Sequence, residues 1–229
     1  MRVVVALDGP AASGKSTTAA EVARRLGFLH VDSGALYRAV TLVALDLNPD
    51  ATAEAMVRAA ERRDLRLRTE GDRVWLLLDG ADAEPRIRSR EVTAGVSAVS
   101  ALPPVRTWVN QRLRQLADGG RPVVLDGRDI GTVVFPDAQV KVFLEAAPEV
   151  RAQRRLVQMG ANPDPDAVAR EAARIAARDR ADSSREVAPL RAASDAIRVD
   201  TSSLSFEEQV ERIVALVKAS PLSRTGAAG

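Results

Sequence analysis

The chain is predicted to fold as α/β, a parallel sheet core flanked by helices, and three observations predict it. Short apolar runs alternate with longer helical patterns along most of the length. The first run, VVVALD, is continuously apolar until its last residue, as in a strand buried on both faces. Between it and the first helical pattern lies a glycine-containing stretch, GPAASGKST.

Taken in order, Val3 to Asp8 is the first strand, and Lys15 to Leu26 is a helix ended by Gly27. Phe28 to Asp32 is the second strand. Ser33 is placed to cap a helix running to Leu47, which Asn48-Pro49 stops. Ala51 to Arg63 is helical again. From Asp64 to Arg88 the period changes: Leu65 and Leu67 alternate with charged residues, Glu70-Gly71-Asp72 makes a turn, and Val74 to Leu78 returns as a second strand. This is a hairpin-like antiparallel insert in an otherwise α/β chain. Helices follow at about Ser89 to Ala101 and Pro104 to Ala117, then strands at Pro122 to Asp126 and Val140 to Ala146. Helices at Glu149 to Met159 and Ala167 to Arg180 flank the loop MGANPDPD. Ala196 to Asp200 is the last strand and Ser205 to Ala219 the closing helix, followed by a small, polar tail over 221–229.

The 229 residues suit one generous domain or a core carrying a smaller insert. Hydrophobic residues make up 46% and charged residues 28%, which argues against disorder, and only 3% are aromatic, so the core is aliphatic. The 33 basic residues nearly cancel the 31 acidic ones; three are lysines (Lys15, Lys141, Lys218) and the rest arginines. Arginine's planar fork suits anionic ligands. The arginines are interleaved with acids rather than gathered in a run, which disfavours a nucleic-acid surface. Without cysteine there are no disulfides, thiolate metal sites or cysteine nucleophiles. No stretch has the length of a membrane span, and a cytoplasmic protein is expected.

GPAASGKST fits G-x-x-x-x-G-K-[ST] in the strand-to-helix setting that the pattern requires, which defines a P-loop. Backbone N–H groups of Gly9 to Thr17 (Gly9, Pro10, Ala11, Ala12, Ser13, Gly14, Lys15, Ser16, Thr17) turn toward a polyphosphate at a helix N-terminus, proline excepted. Lys15 reaches the β- and γ-phosphates and Ser16 offers a hydroxyl to Mg²⁺. No guanine-reading N-K-x-D is present. The strand ending at Asp126 is a candidate Walker-B strand, and Asp126 a candidate for ordering the metal's water shell. Three further clusters bear on the acceptor. In DSGALYR, Asp32 ends a strand and Arg38 lies two turns up a helix, either gripping an acceptor phosphate or lying on the helix surface. Tyr37 is assigned to packing. DGRDIGTVVFPDA gathers Asp126, Arg128 and Asp129 at a strand's carboxyl end, where open parallel sheets bind ligands. RDRADSSR, Arg178 to Arg185, is either a solvated face or a mobile cover for phosphates. His30, the only histidine, is expected to be packed rather than catalytic, and Trp75 and Trp108 to be packing residues.

Taken together, GPAASGKST, DSGALYR, REVTAGVSAVSALPPVR, LDGRDIGTVVFPDA and RDRADSSREVAPL resemble the bacterial cytidylate kinases, over nearly the whole chain. The resemblance implies a P-loop NTPase-type core with a small antiparallel β insert in the region that binds the nucleoside monophosphate, and a helical lid. It implies a single kinase domain over 1–220: core 1–32, 89–150 and 190–219, monophosphate-binding region 33–88, lid about 151–189. It implies ATP as donor, Mg²⁺, CMP or dCMP as acceptor, and a monomer. Carried over by position, Arg38, Arg128 and Arg185 hold the acceptor phosphate, Arg178 and Asp182 meet the ribose, Ser97, Arg106 and Asp129 read cytosine, and Ser33 joins the substrate-binding set. Lys15, Arg128 and Arg185 are the expected catalytic residues. Which lid arginines meet ATP is left among Arg154, Arg155, Arg174 and Arg180. The competing readings are a kinase of UMP or shikimate, a nucleotide-binding module without transfer, and a nucleic-acid-stimulated ATPase.

Overall fold

The computed structural model describes residues 3–71 and 73–220. The expected tail over 221–229, and Asp72 of the expected insert turn, lie outside them. Five parallel strands, β1 (Val4–Asp8), β2 (Leu29–Asp32), β6 (Val123–Gly127), β7 (Val140–Glu145) and β8 (Ile197–Asp200), form one sheet in the order β2-β6-β1-β7-β8. A second sheet of three antiparallel strands comprises β3 (Arg66–Glu70), β4 (Arg73–Leu78) and β5 (Ala81–Asp82). The helices are α1 (Lys15–Leu26), α2 (Ser33–Leu45), α3 (Ala53–Arg62), α4 (Glu84–Ile87), α5 (Arg90–Val99), α6 (Pro103–Ala117), α7 (Pro148–Gln158), α8 (Pro165–Ser183) and α9 (Phe206–Ala219).

Strand β1 lies centrally because it is apolar on both faces. Val4 and Ala6 pack with α2, α5, α6 and the insert, while Val5 and Leu7 pack with α1 and α9. Leu65, Leu76 and Leu78 join the first of these cores, so the insert is fastened by burial rather than by its turn. Every strand of the parallel sheet except β6 ends in an acid (Asp8, Asp32, Glu145, Asp200), and β6 places Asp126 one residue from its end. The carboxyl edge of the sheet therefore concentrates polar chemistry where the loops diverge.

Several local expectations are corrected. Asp32, not Ser33, caps α2: its Oδ1 accepts from the Ala35 N–H at 3.1 Å, which frees the Ser33 hydroxyl for another partner. Helix α2 stops at Leu45, two residues early. The insert also carries β5 and the short α4, and α8 continues three residues beyond the expected end at Arg180, to Ser183, so most of RDRADSSR is helix. No glycine or proline interrupts that run to break it. After β6 the chain makes a π-helical turn, Ile130–Val134, to which no element was assigned from the sequence.

Candidate active site

The loop after β1 is shaped by close approach. A Cβ on Gly9 would stand 2.4 Å from the Leu144 carbonyl oxygen, and Gly14 has φ 83°, in the left-handed region that admits glycine most readily. Ala12 takes φ 59° without that excuse. Among the described residues no protein acceptor meets the backbone N–H groups of Ser13, Gly14, Lys15 or Ser16. They open toward a cleft of about 210 Å³ bounded by the loop, α2, α5, the β6 end and α8.

Lys15 is buried and its Nζ donates to the Pro10 carbonyl at 3.0 Å. Burial, then the charge of Arg128, lowers its pKa to about 7, with Asp126 opposing. Arg178 is lowered to about 10 by the same two causes, and its Nε is buried without a partner. Ser13 Oγ is likewise buried and unpartnered. Crowded cations with depressed pKa values beside unsatisfied donors describe a site built for an anion, whose arrival would restore each charge.

Asp126 is held on three sides. Ser16 Oγ donates to its Oδ2, His30 Nε2 lies 2.8 Å from its Oδ1, and Ser33 Oγ donates to its backbone carbonyl at 2.7 Å. Burial works against this carboxylate, but the hydrogen bonds from His30 and Ser16 and the Lys15 charge keep it below the usual range. Asp32, directly beside it in the β2–β6 register, is raised by burial and then by the Asp126 charge. His30 is thus not simply packed: it joins the carboxylate at the phosphate loop, and although burial opposes the change, that contact raises its pKa.

Elsewhere in the cleft, Arg106 Nη2 donates to Asp129 Oδ2 and its Nη1 to the Ser100 carbonyl at 3.0 Å. The two side chains are only 4% and 6% exposed. The Arg106 guanidinium stands 5.5 Å from the centre of the Tyr37 ring, so Tyr37 both packs and lines the cleft. Asp129 is raised by burial, with Arg106 pulling back. Arg128 Nε donates to Asp182 Oδ2 at 3.0 Å, and Arg185 Nη2 to Asp182 Oδ1 at 2.5 Å. Arg38 is anchored on Thr93 Oγ1 at 2.9 Å.

The turn that presents Arg128 and Asp129 is fixed by Asp8, whose carboxylate accepts from Ile130 N at 2.8 Å and Gly131 N at 2.7 Å. Burial pushes Asp8 up to about 7 against those two donors. Sequence reasoning did not single out Asp8, Arg88 or Ser100, yet Arg88 and Ser100 line the cleft. Arg88 also bridges to Asp32 Oδ2 at 3.1 Å.

Of the expected acceptor-side residues, Ser33, Arg38, Arg106, Arg128, Asp129, Arg178, Asp182 and Arg185 all face the cleft. Ser97 does not line it; it is half-buried on α5, its carbonyl accepting from Ser100 Oγ at 3.2 Å. Among the four lid arginines left open, Arg155 lines the cleft. Arg154 turns to the Thr201 backbone carbonyl at 2.6 Å, the exposed Arg174 pairs with the buried Glu171, and Arg180 is exposed.

A parallel sheet with a phosphate loop after its central strand, facing a cleft lined by arginines, defines a P-loop kinase with a small anionic acceptor. The family model for cytidylate kinase matches residues 5–219. A cytidylate kinase of Geobacillus sp. (strain WCH70) is 46% identical over 214 residues, covering 93% of this chain and 95% of the relative. One of Mycobacterium leprae is 44% identical over 216 residues, 94% and 96% of the two chains. The chain belongs to the cytidylate kinase family. Among solved structures, an uncharacterised protein from Eubacterium ventriosum shares the fold at 10% identity, with a TM-score of 0.50 over 95% of this chain and 99% of its own.

Proposed function

We propose that the chain moves the γ-phosphoryl group of ATP to CMP or dCMP, giving ADP and CDP or dCDP. The observation that carries the choice of acceptor is the buried Arg106–Asp129 pair at the end of the arginine-lined cleft. Cytosine offers an exocyclic amine beside ring acceptors, and a carboxylate next to a guanidinium is its complement. Asp129 Oδ1 takes no protein hydrogen bond among the described residues, which leaves it for that amine.

A nucleoside monophosphate is already an ionised nucleophile at neutral pH, so no general base is required. Arg38, Arg128 and Arg185 neutralise the acceptor phosphate, Arg178 and Asp182 hold the ribose, and Lys15 bears on the donor phosphates. Their shared work is to bring two anions together in line and to stabilise the charge of the transferred group. Mg²⁺ fits the residues present: Ser16 spends its hydroxyl hydrogen on Asp126, which leaves its oxygen lone pairs for a cation, with Asp126 behind it as a partner for the metal's water. When bound, the metal supplies further neutralisation of the phosphates.

The unit divides, on this reading, into a core, a monophosphate-binding region at 33–88 and a lid at about 151–189. Ser97 lies one helical turn before the cleft-lining Ser100 and would read the base after a small movement of α5. The proposed working unit is a monomer. The proposed location is the cytoplasm, on the ground of the proposed nucleotide substrates. Among the described residues no helix is long and apolar enough to cross a membrane. Chromatographic identification of products tests the reaction: ADP and CDP should form in equal amounts from ATP and CMP. ADP with free phosphate and unchanged CMP would refute transfer.

A further inference from the structure

The strained crest of the phosphate loop is held by two residues of the α7–α8 pair that have no place in the roles above. Asp179 Oδ1 accepts the Ala11 N–H at 2.8 Å. Arg151 Nη1 donates to the Ala11 carbonyl at 2.9 Å and to Asp179 Oδ2 at 2.5 Å, while its Nε donates to the Ala146 carbonyl at 3.0 Å. Both polar backbone groups of Ala11 are therefore taken by one ion pair, whose side chains are 8% and 17% exposed. Beneath it, Ala11 packs in an apolar cluster with Ala152, Leu156 and Ile175. The next residue, Ala12, is the one with φ 59°. A non-glycine residue keeps such a conformation only where its surroundings over-determine it.

We infer that Arg151 and Asp179 are positioning residues that hold Ala11 so that Ala12 stays left-handed and the following N–H groups stay aimed at the donor phosphates. The inference rests on the proposed donor site. The clamp takes the polar groups of Ala11, while the N–H groups of Ser13 to Ser16 meet no protein acceptor among the described residues.

The test separates donor from acceptor binding and does not depend on transfer. Calorimetric titration of Asp179→Ala and Arg151→Met with a non-hydrolysable ATP analogue and, separately, with CMP should raise the analogue's Kd at least tenfold and leave that of CMP within threefold. The double variant should be no worse than threefold beyond the weaker single, because the two residues act as one unit. Arg151→Lys keeps the charge but cannot hold Ala11 and Asp179 together, and its loss should be intermediate; it serves if the larger changes impair folding. Unchanged analogue affinity in all of these overturns the inference. So does a parallel loss of both ligands, which marks a merely structural pair. Failure of the wild-type chain to bind CMP would count against the proposed acceptor, and the analogue titration would still decide on the clamp.

Discussion

Replacing Asp129 by asparagine changes one charge in the cleft and almost no volume. The carboxylate is buried against Arg106, and Arg106 keeps its second anchor on the Ser100 carbonyl. In the variant the amide can still accept from Arg106, but the oxygen offered to the cytosine amine is lost or becomes a donor. An unpaired buried donor costs about 1–3 kcal/mol, or roughly 5- to 150-fold in kcat/KM for CMP. Uracil carries an acceptor at that position, so kcat/KM for UMP should hold or rise, and the CMP/UMP ratio should fall by at least about fivefold on the same scale. Halving a buried ion pair costs up to about 3–5 kcal/mol of stability, so the kinetics belong at a temperature where circular dichroism shows the variant folded. Steady-state rates with both acceptors decide it. If CMP and UMP fall together and the ratio is unchanged, Asp129 supports the fold and does not read the base.

Other predictions follow from the same cleft. Lys15→Ala and Arg128→Ala should each lower kcat by about a hundredfold or more in proteins that still melt cooperatively, because both remove charge from the path of the transferred group; normal turnover in either would contradict the mechanism. Ser16→Ala should raise the Mg²⁺ concentration needed for half-maximal turnover, with Ser16→Thr close to wild type. Asp8, raised from 3.8 to about 7, binds more protons folded than unfolded between those values, so its contribution is fully present below pH 3.8 and is lost as pH rises through 7. The stability of wild type minus that of Asp8→Asn should accordingly fall by about 4 kcal/mol between pH 4 and 7.5, measured by urea unfolding; a flat or rising difference would refute it.

The sheet was legible because its strands are short apolar runs set between helical periods, and the phosphate loop because its spacing stands between a strand and a helix. The insert announced itself when Leu65 and Leu67 broke the helical period. What escaped depends on contacts between residues far apart in the chain. His30 meets Asp126 only because β2 and β6 become neighbours in the sheet, and a lone histidine in an apolar strand gives no hint of it. Asp8 acts on a π-helical turn that has no sequence period to reveal it. Arg151 and Asp179 are two charges among many on amphipathic helices, distinguished only by both reaching Ala11. Serine favours a cap position, but Asp32 beside Ser33 takes that role and leaves the Ser33 hydroxyl for the Asp126 carbonyl.

The most direct test of the central claim is ADP formation from ATP and Mg²⁺ with CMP, dCMP, UMP, AMP and shikimate as separate acceptors, beside a control without acceptor. Turnover concentrated on CMP and dCMP is the predicted result. Equal turnover with UMP, or ADP formation at the same rate without any acceptor, would contradict it.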